Sequence, residues 1–130
     1  MEKLFFCALL LMNLFIGCNR AAGQQEPIYR KISSQEAYKM MSENENFILL
    51  DVRTIAEYRE KRIPGAVLIP DYELVNRSEK ELPYKDQLIF VYCRSGNRSA
   101  ASTRTLVNMG YTNVYDFGGI SSWYYNTESD

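Results

Sequence analysis

Two apolar runs constrain this chain more than any other feature. Phe47-Ile48-Leu49-Leu50 ends in Asp51-Val52, and Leu88-Ile89-Phe90-Val91-Tyr92 has no polar residue at all. Neither run alternates in the way a half-exposed strand does. Uninterrupted apolar stretches of this length fit strands buried on both faces of a parallel sheet. Such strands need crossover connections, and the intervening segments supply them. Ser33-Ser34-Gln35-Glu36 has capping-box spacing ahead of Ala37, Tyr38, Met40 and Met41, which predicts a helix to about Ser42. Thr54 to Lys61 reads as a short surface helix ending near Pro64-Gly65, and Asp71 as the cap of a helix to about Arg77. Ala100 to Met109 is the fourth, with Ala101, Leu106, Val107 and Met109 as its buried face and Gly110 at the C′ position. Ile28–Ile32, Ala66–Ile69 and Val114–Asp116 complete five strands, and a terminal helix holding Ile120, Trp123 and Tyr124 is expected after Gly118-Gly119. The alternation predicts a three-layer α/β domain: a mostly parallel five-stranded sheet flanked by helices.

Ligands of open parallel sheets sit beyond the carboxyl ends of the strands, where Asp51 and Cys93 both fall. The segment Cys93-Arg94-Ser95-Gly96-Asn97-Arg98-Ser99 joins the best strand to the best helix. Backbone N–H groups at such a junction can converge on an anion, and the helix start adds partial positive charge. Gly96 takes positive φ at no steric cost, and Asn97 tolerates it. Cysteine thiolates are favoured at helix N-termini and beside cations, so Cys93 is the candidate nucleophile. Arg94, Ser95, Gly96, Asn97, Arg98 and Ser99 are the candidate anion binders. Asp51 and Arg53 are expected to form a structural pair that supports the pocket wall.

The chain has 130 residues and no histidine. No Ser-His-Asp triad, Cys-His pair or His-ligated zinc can therefore be built, and activation of the thiol falls to backbone dipoles and arginine. A net charge of −1 provides no footprint for nucleic acid. No metal or organic cofactor is implied.

The N-terminal segment is expected to lie outside the fold. Met1-Glu2-Lys3 precedes an apolar run from Leu4 to Ile16, broken by Asn13. The run is short for a membrane span and suits a signal peptide over residues 1–17, with an uncleaved N-terminal anchor or an ordinary secretory signal as the alternatives. Phe15-Ile16-Gly17-Cys18 resembles a bacterial lipobox, with Phe15 where leucine is usual. That resemblance implies lipidation of Cys18 and a location in the bacterial cell envelope, on the periplasmic or surface side, with the lipid as the sole membrane contact. Residues 18–27 then read as a polar tether, spanning at most roughly 30 Å, ahead of a domain over 28–130. Cys93 would be the one free thiol in an oxidising compartment, a placement that asks for a reason.

Three signatures in order make the domain resemble the rhodanese family of sulfurtransferases. These are Leu50-Asp51-Val52-Arg53 with Glu57-Tyr58 and Ile63-Pro64-Gly65-Ala66, the Cys93–Arg98 loop, and Gly118-Gly119-Ile120 with Trp123. The family commonly has Gly-His before the Ile-Pro-Gly-Ala turn, where this chain has Lys61-Arg62. The resemblance implies a rhodanese-like fold and a two-stage reaction. Cys93 takes a sulfane sulfur from a small anionic donor such as thiosulfate, becomes a persulfide, and passes the sulfur to a thiol or cyanide acceptor. Related phosphatases place one more residue between Cys and Arg, so the cradle here is expected to be too tight for a phosphate ester. The chain is expected to act as a monomer. Two alternatives stay open at this level: a catalytically silent rhodanese-fold binding or sensing module, and an envelope protein for persulfide or thiol redox repair.

Overall fold

The computed structural model describes residues 28–130. The expected signal peptide, the Cys18 lipidation site and the whole of the 18–27 tether lie outside the described residues. From Ile28 the chain runs through β1 (Arg30–Lys31), α1 (Ser34–Glu43), β2 (Ile48–Asp51), α2 (Ile55–Glu60) and β3 (Val67–Leu68). A 3-10 turn at Asp71–Glu73 leads into α3 (Leu74–Glu81), then come β4 (Ile89–Cys93), α4 (Asn97–Asn108) and β5 (Val114–Gly119), and a second 3-10 turn covers Ile120–Ser122. The sheet order is β1-β5-β4-β2-β3, and every strand pair is parallel.

The two apolar runs become adjacent central strands, with Leu49 beside Phe90 and Leu50 beside Val91. Their side chains alternate between two separate cores, which is why neither run needed polar residues. On one face Leu50, Val52, Ile89, Val91 and Cys93 pack with Leu74, Leu82, Leu106 and Tyr111 from the α3 and α4 side. On the other, Leu49, Phe90, Tyr92 and Phe117 pack with Ala37, Ile63 and Trp123. Fully burying each of the aliphatic side chains contributes about 1.5–3 kcal/mol, so the layered packing fixes the sheet on which the site is built.

Local signals set the helix starts. Ser33 caps α1 and Thr54 caps α2, each in a reciprocal capping box with Glu36 and Glu57. α4 begins at Asn97, three residues before the expected start, because Gly96 turns the chain through φ 113° and lets Asn97-Arg98-Ser99 enter the helix directly. Its buried face also differs from the expected one. Ala101 is exposed, and Ser99, Ser102 and Thr103 join Leu106 against the sheet. Small hydroxyl side chains allow the close approach of this helix to β4 and β5, and an apolar-periodicity argument does not see them.

The expected terminal helix is replaced by a single 3-10 turn. Ile120–Ser122 closes one turn, after which Trp123 adopts φ −92°, ψ 114° and the chain continues extended. Trp123 is held in the core beside Phe117, with centroids 5.6 Å apart, and its Nε1–H donates to the Asn126 carbonyl at 3.1 Å. Burying that ring favours extension over a further helical turn. The Asp71 segment likewise begins as a 3-10 turn before α3.

Candidate active site

β4 delivers Cys93 to the carboxyl edge of the sheet. The register between β4 and β5 slips between Val91 and Cys93, so that Cys93 lies opposite Gly119. A slip of this kind re-aims the strand end. Cys93 points toward the α4 layer and is 1% exposed. Its Sγ accepts the Gly96 N–H at 3.0 Å. Among the described residues this is the single backbone N–H bonded to the sulfur, where the sequence led us to expect several. The thiol therefore lies under the loop, at the start of the twelve-residue α4, rather than at an open rim.

β5 supplies the floor beneath the loop. Asp116 is fully buried, and its Oδ1 accepts the Gly118 N–H at 2.8 Å. Gly118 turns through φ 87°, and its Cα lies 3.6 Å from where a Cβ on Gly96 would sit. A Cβ on Gly119 would lie 2.1 Å from the Arg94 carbonyl oxygen and 2.6 Å from Ser95 Cα. The loop and β5 thus touch backbone to backbone. The Ser121 N–H donates to the Arg94 carbonyl at 3.2 Å, and the Ser99 hydroxyl lies 3.1 Å from the Gly96 carbonyl and 3.2 Å from that of Gly118.

The expected anion binders separate into groups. Gly96 donates to the sulfur. The Ser99 hydroxyl is turned toward two carbonyls and ties the loop to β5. Asn97 is exposed on the first turn of α4. Arg94 and Ser95 face different cavities: Ser95 lines one of about 300 Å³ with Ser33, Gly118 and Tyr124. Arg94 lines one of about 280 Å³ with Arg53, Glu57, Glu60, Lys61, Ile120 and Ser121.

Arg98 differs most from its expected role. Its Nη1 and Nη2 each donate to a Glu57 carboxylate oxygen at 2.8 Å. Arg98 holds the Glu57 carboxyl down to about 2, against the opposing effect of burial and with help from Thr54. A two-pronged pair of this kind is the strong form of an ion pair, so the Arg98 charge is already compensated before any substrate arrives. No local pattern points to this partner, which stands 41 positions away.

Asp51 and Arg53 form the expected pair. Arg53 Nη2 lies 2.7 Å from Asp51 Oδ2, with both side chains buried. The same Nη2 donates to the Lys61 carbonyl at 2.6 Å, and the Tyr92 hydroxyl accepts the Ile63 N–H at 3.2 Å. Burial, followed by the nearby Asp51 charge, pushes the Tyr92 hydroxyl up, which keeps it neutral. This network ties the Lys61–Ile63 turn to the ends of β2 and β4. Buried charge of this kind is stable only when fully paired, and here both partners are.

The arrangement presents one thiol sulfur with a backbone hydrogen bond, compensated charge around it and cationic side chains nearby in the chain. The rhodanese-like domain family profile matches residues 33–126. A sulfurtransferase of Allochromatium vinosum is 35% identical over 94 residues, covering 72% of this chain and 86% of that protein. The adenylyltransferase and sulfurtransferase UBA4 of Meyerozyma guilliermondii is 38% identical over 89 residues, covering 62% of this chain and 21% of that protein. The crystal structure of a thiosulfate sulfurtransferase from Pseudomonas aeruginosa superposes with a TM-score of 0.70 at 26% identity, over 78% of this chain and 20% of that one. The chain spans about a fifth of the length of these last two proteins.

Proposed function

Since the chain belongs to the rhodanese-like domain family, we propose that it is a sulfurtransferase that carries a sulfane sulfur on Cys93 from an anionic donor such as thiosulfate to a thiol or cyanide acceptor. The observation that carries this is Cys93 Sγ at the carboxyl end of β4, accepting the Gly96 N–H at 3.0 Å where α4 begins. In the first stage the Cys93 thiolate attacks the outer sulfur of thiosulfate. The donor's S–S bond breaks, sulfite leaves with the electron pair, and a Cys93 persulfide remains. In the second, the acceptor's thiolate or cyanide carbon attacks the terminal sulfur and the Cys93 thiolate is restored. The helix start and the Gly96 N–H favour negative charge on sulfur in both stages.

Intact-mass measurement after incubation with thiosulfate tests this. The protein should gain one sulfur, the Cys93→Ser variant none, and cyanide or a thiol should remove it. No mass gain with thiosulfate or with a low-molecular-weight persulfide would overturn the proposal.

We further propose that the domain acts in a bacterial cell envelope, tethered through a lipid on Cys18. The support is the Leu4–Ile16 apolar run followed by Gly17-Cys18. Metabolic labelling with a fatty-acid analogue should mark the full chain and spare its Cys18→Ser variant. Equal labelling of the two would rule the anchor out.

A further inference from the structure

Asp116 is fully buried, and among the described residues it has no ion-pair partner. Two hydrogen bonds from different parts of the chain satisfy its carboxyl group. The Tyr29 hydroxyl donates to Oδ2, and the Gly118 N–H donates to Oδ1 at 2.8 Å. Tyr29 lies just ahead of β1, 87 positions from Asp116, and ahead of the stretch 33–126 matched by the family profile. The pairing of β1 with β5 brings the two residues together, and the Ile32 N–H donates to the Asp116 carbonyl at 2.9 Å. The half-buried Tyr29 ring is held against α4 by the Arg104 guanidinium, 4.6 Å from the ring centroid. Burial and the Asp116 carboxyl push the Tyr29 hydroxyl up to about 12, so it stays protonated and able to donate across the ordinary pH range.

Gly118 is where this link meets the thiol loop. Its N–H is bonded to Asp116, its carbonyl lies 3.2 Å from the Ser99 hydroxyl, and its Cα packs 3.6 Å from where a Cβ on Gly96 would sit. Gly96 in turn donates the backbone hydrogen bond to the Cys93 sulfur. A buried carboxyl oxygen that loses its donor is left unsatisfied at a cost that drives the group to turn and find another. Turning the Asp116 carboxyl releases the Gly118 N–H, and the floor under Gly96 moves with it.

We propose that Tyr29 is a positioning residue for sulfur transfer: acting through Asp116 and Gly118, it holds the Gly96 N–H on the Cys93 sulfur. This rests on the sulfurtransferase proposal and gives the reaction a support at the very start of the domain.

Tyr29→Phe in the full chain removes the hydroxyl and keeps the ring. Tyr111→Phe is the matched control, because its buried hydroxyl donates to the Leu82 carbonyl at 2.7 Å, between the end of α4 and the approach to β4, at the amino edge of the sheet. At saturating thiosulfate Tyr29→Phe should load sulfur about tenfold more slowly with the donor KM unchanged, and Tyr111→Phe should load like the wild type. Amide hydrogen exchange in peptides spanning 94–99 and 116–119 should quicken in Tyr29→Phe and not in Tyr111→Phe. Asp116→Asn can keep both contacts, its oxygen accepting from Gly118 and its amide donating to the Tyr29 hydroxyl, so it should load faster than Asp116→Ala. Adding Tyr29→Phe to Asp116→Ala should slow loading no further, because the route is already cut. Wild-type loading by Tyr29→Phe, or slowed loading with exchange in 94–99 unchanged, would overturn the proposal. If no protein gains sulfur, the wild type included, and Tyr29→Phe still quickens exchange in 94–99, the transfer reaction falls and the positioning link stands.

Discussion

Glu57 Oε2 accepts from three donors at once: the Thr54 N–H at 3.0 Å, the Thr54 hydroxyl at 3.0 Å and Arg98 Nη1 at 2.8 Å. The capping box of α2 therefore orients the carboxylate that immobilises the first-turn arginine of α4. A cation at a helix N-terminus is mildly unfavourable on its own, and the pair removes that penalty beside the sulfur. Because the folded-state value of about 2 lies below the ordinary 4.5, the folded state binds fewer protons. The stabilisation is complete above about pH 4.5 and is lost as pH falls toward 2. Glutamine can still serve the capping box, so Glu57→Gln isolates the link to Arg98. It should cost about 1–2 kcal/mol at pH 7, intermediate between exposed and buried pairs. Thermal melts of the two proteins across pH should converge near pH 2–3, and a gap that persists at pH 2 would show that the ion pair is not its source.

At the scale of elements, the strand-to-helix loop is only as well placed as the strand beneath it. Gly119→Ala would put a methyl 2.1 Å from the Arg94 carbonyl oxygen, and backbone on both sides leaves no flexible group to yield. The loop must lift, carrying the Gly96 N–H away from Cys93. We expect a loss of about 1–3 kcal/mol and a fall in sulfur loading of at least about tenfold. Gly110→Ala is the matched control: it also sits at positive φ (99°), but its Cβ meets open space. It should lower the melting temperature and spare loading. Equal loading by Gly119→Ala and the wild type would mean that β5 does not set the loop. This contact also explains what sequence reading could reach. Cys93 and its loop are contiguous, and the strands on either side announce themselves by apolar runs, so the place of the thiol at a strand end and the sheet itself were legible. Glu57 meets Arg98, and Gly119 meets Arg94, only because parallel crossovers return distant segments to one sheet edge. Nothing local in Glu57 distinguishes a partner of Arg98 from an ordinary capping residue. The α4 face escaped for a different reason: Ser99, Ser102 and Thr103 are buried for their size, which hydropathy does not encode.

Across the whole molecule, the segment after β5 closes the second core by pairing with the α2–β3 turn. Arg62 and Glu128 exchange both backbone hydrogen bonds at 2.9 Å. The Arg62 guanidinium adds Glu128, Asp130 and the Tyr58 carbonyl at 3.2 Å, and stacks over the Tyr58 ring at 4.6 Å. Trp123, the chain's single tryptophan, is 8% exposed beneath this closure, edge-on to Tyr125 with centroids 4.9 Å apart. Arg62→Gln removes the side-chain links and keeps the backbone pairing, so the 124–130 segment should loosen without the sheet unfolding. Trp123 emission should shift to the red, and limited proteolysis should cut within 124–130. Salt should move the wild type part of the way toward the variant, because exposed charges are screened. Sulfur loading at saturating donor should persist, since Cys93 packs in the core on the opposite face of the sheet. If Trp123 emission in Arg62→Gln matched the wild type at low salt, aromatic packing alone would account for the closure and the arginine would have no part in it.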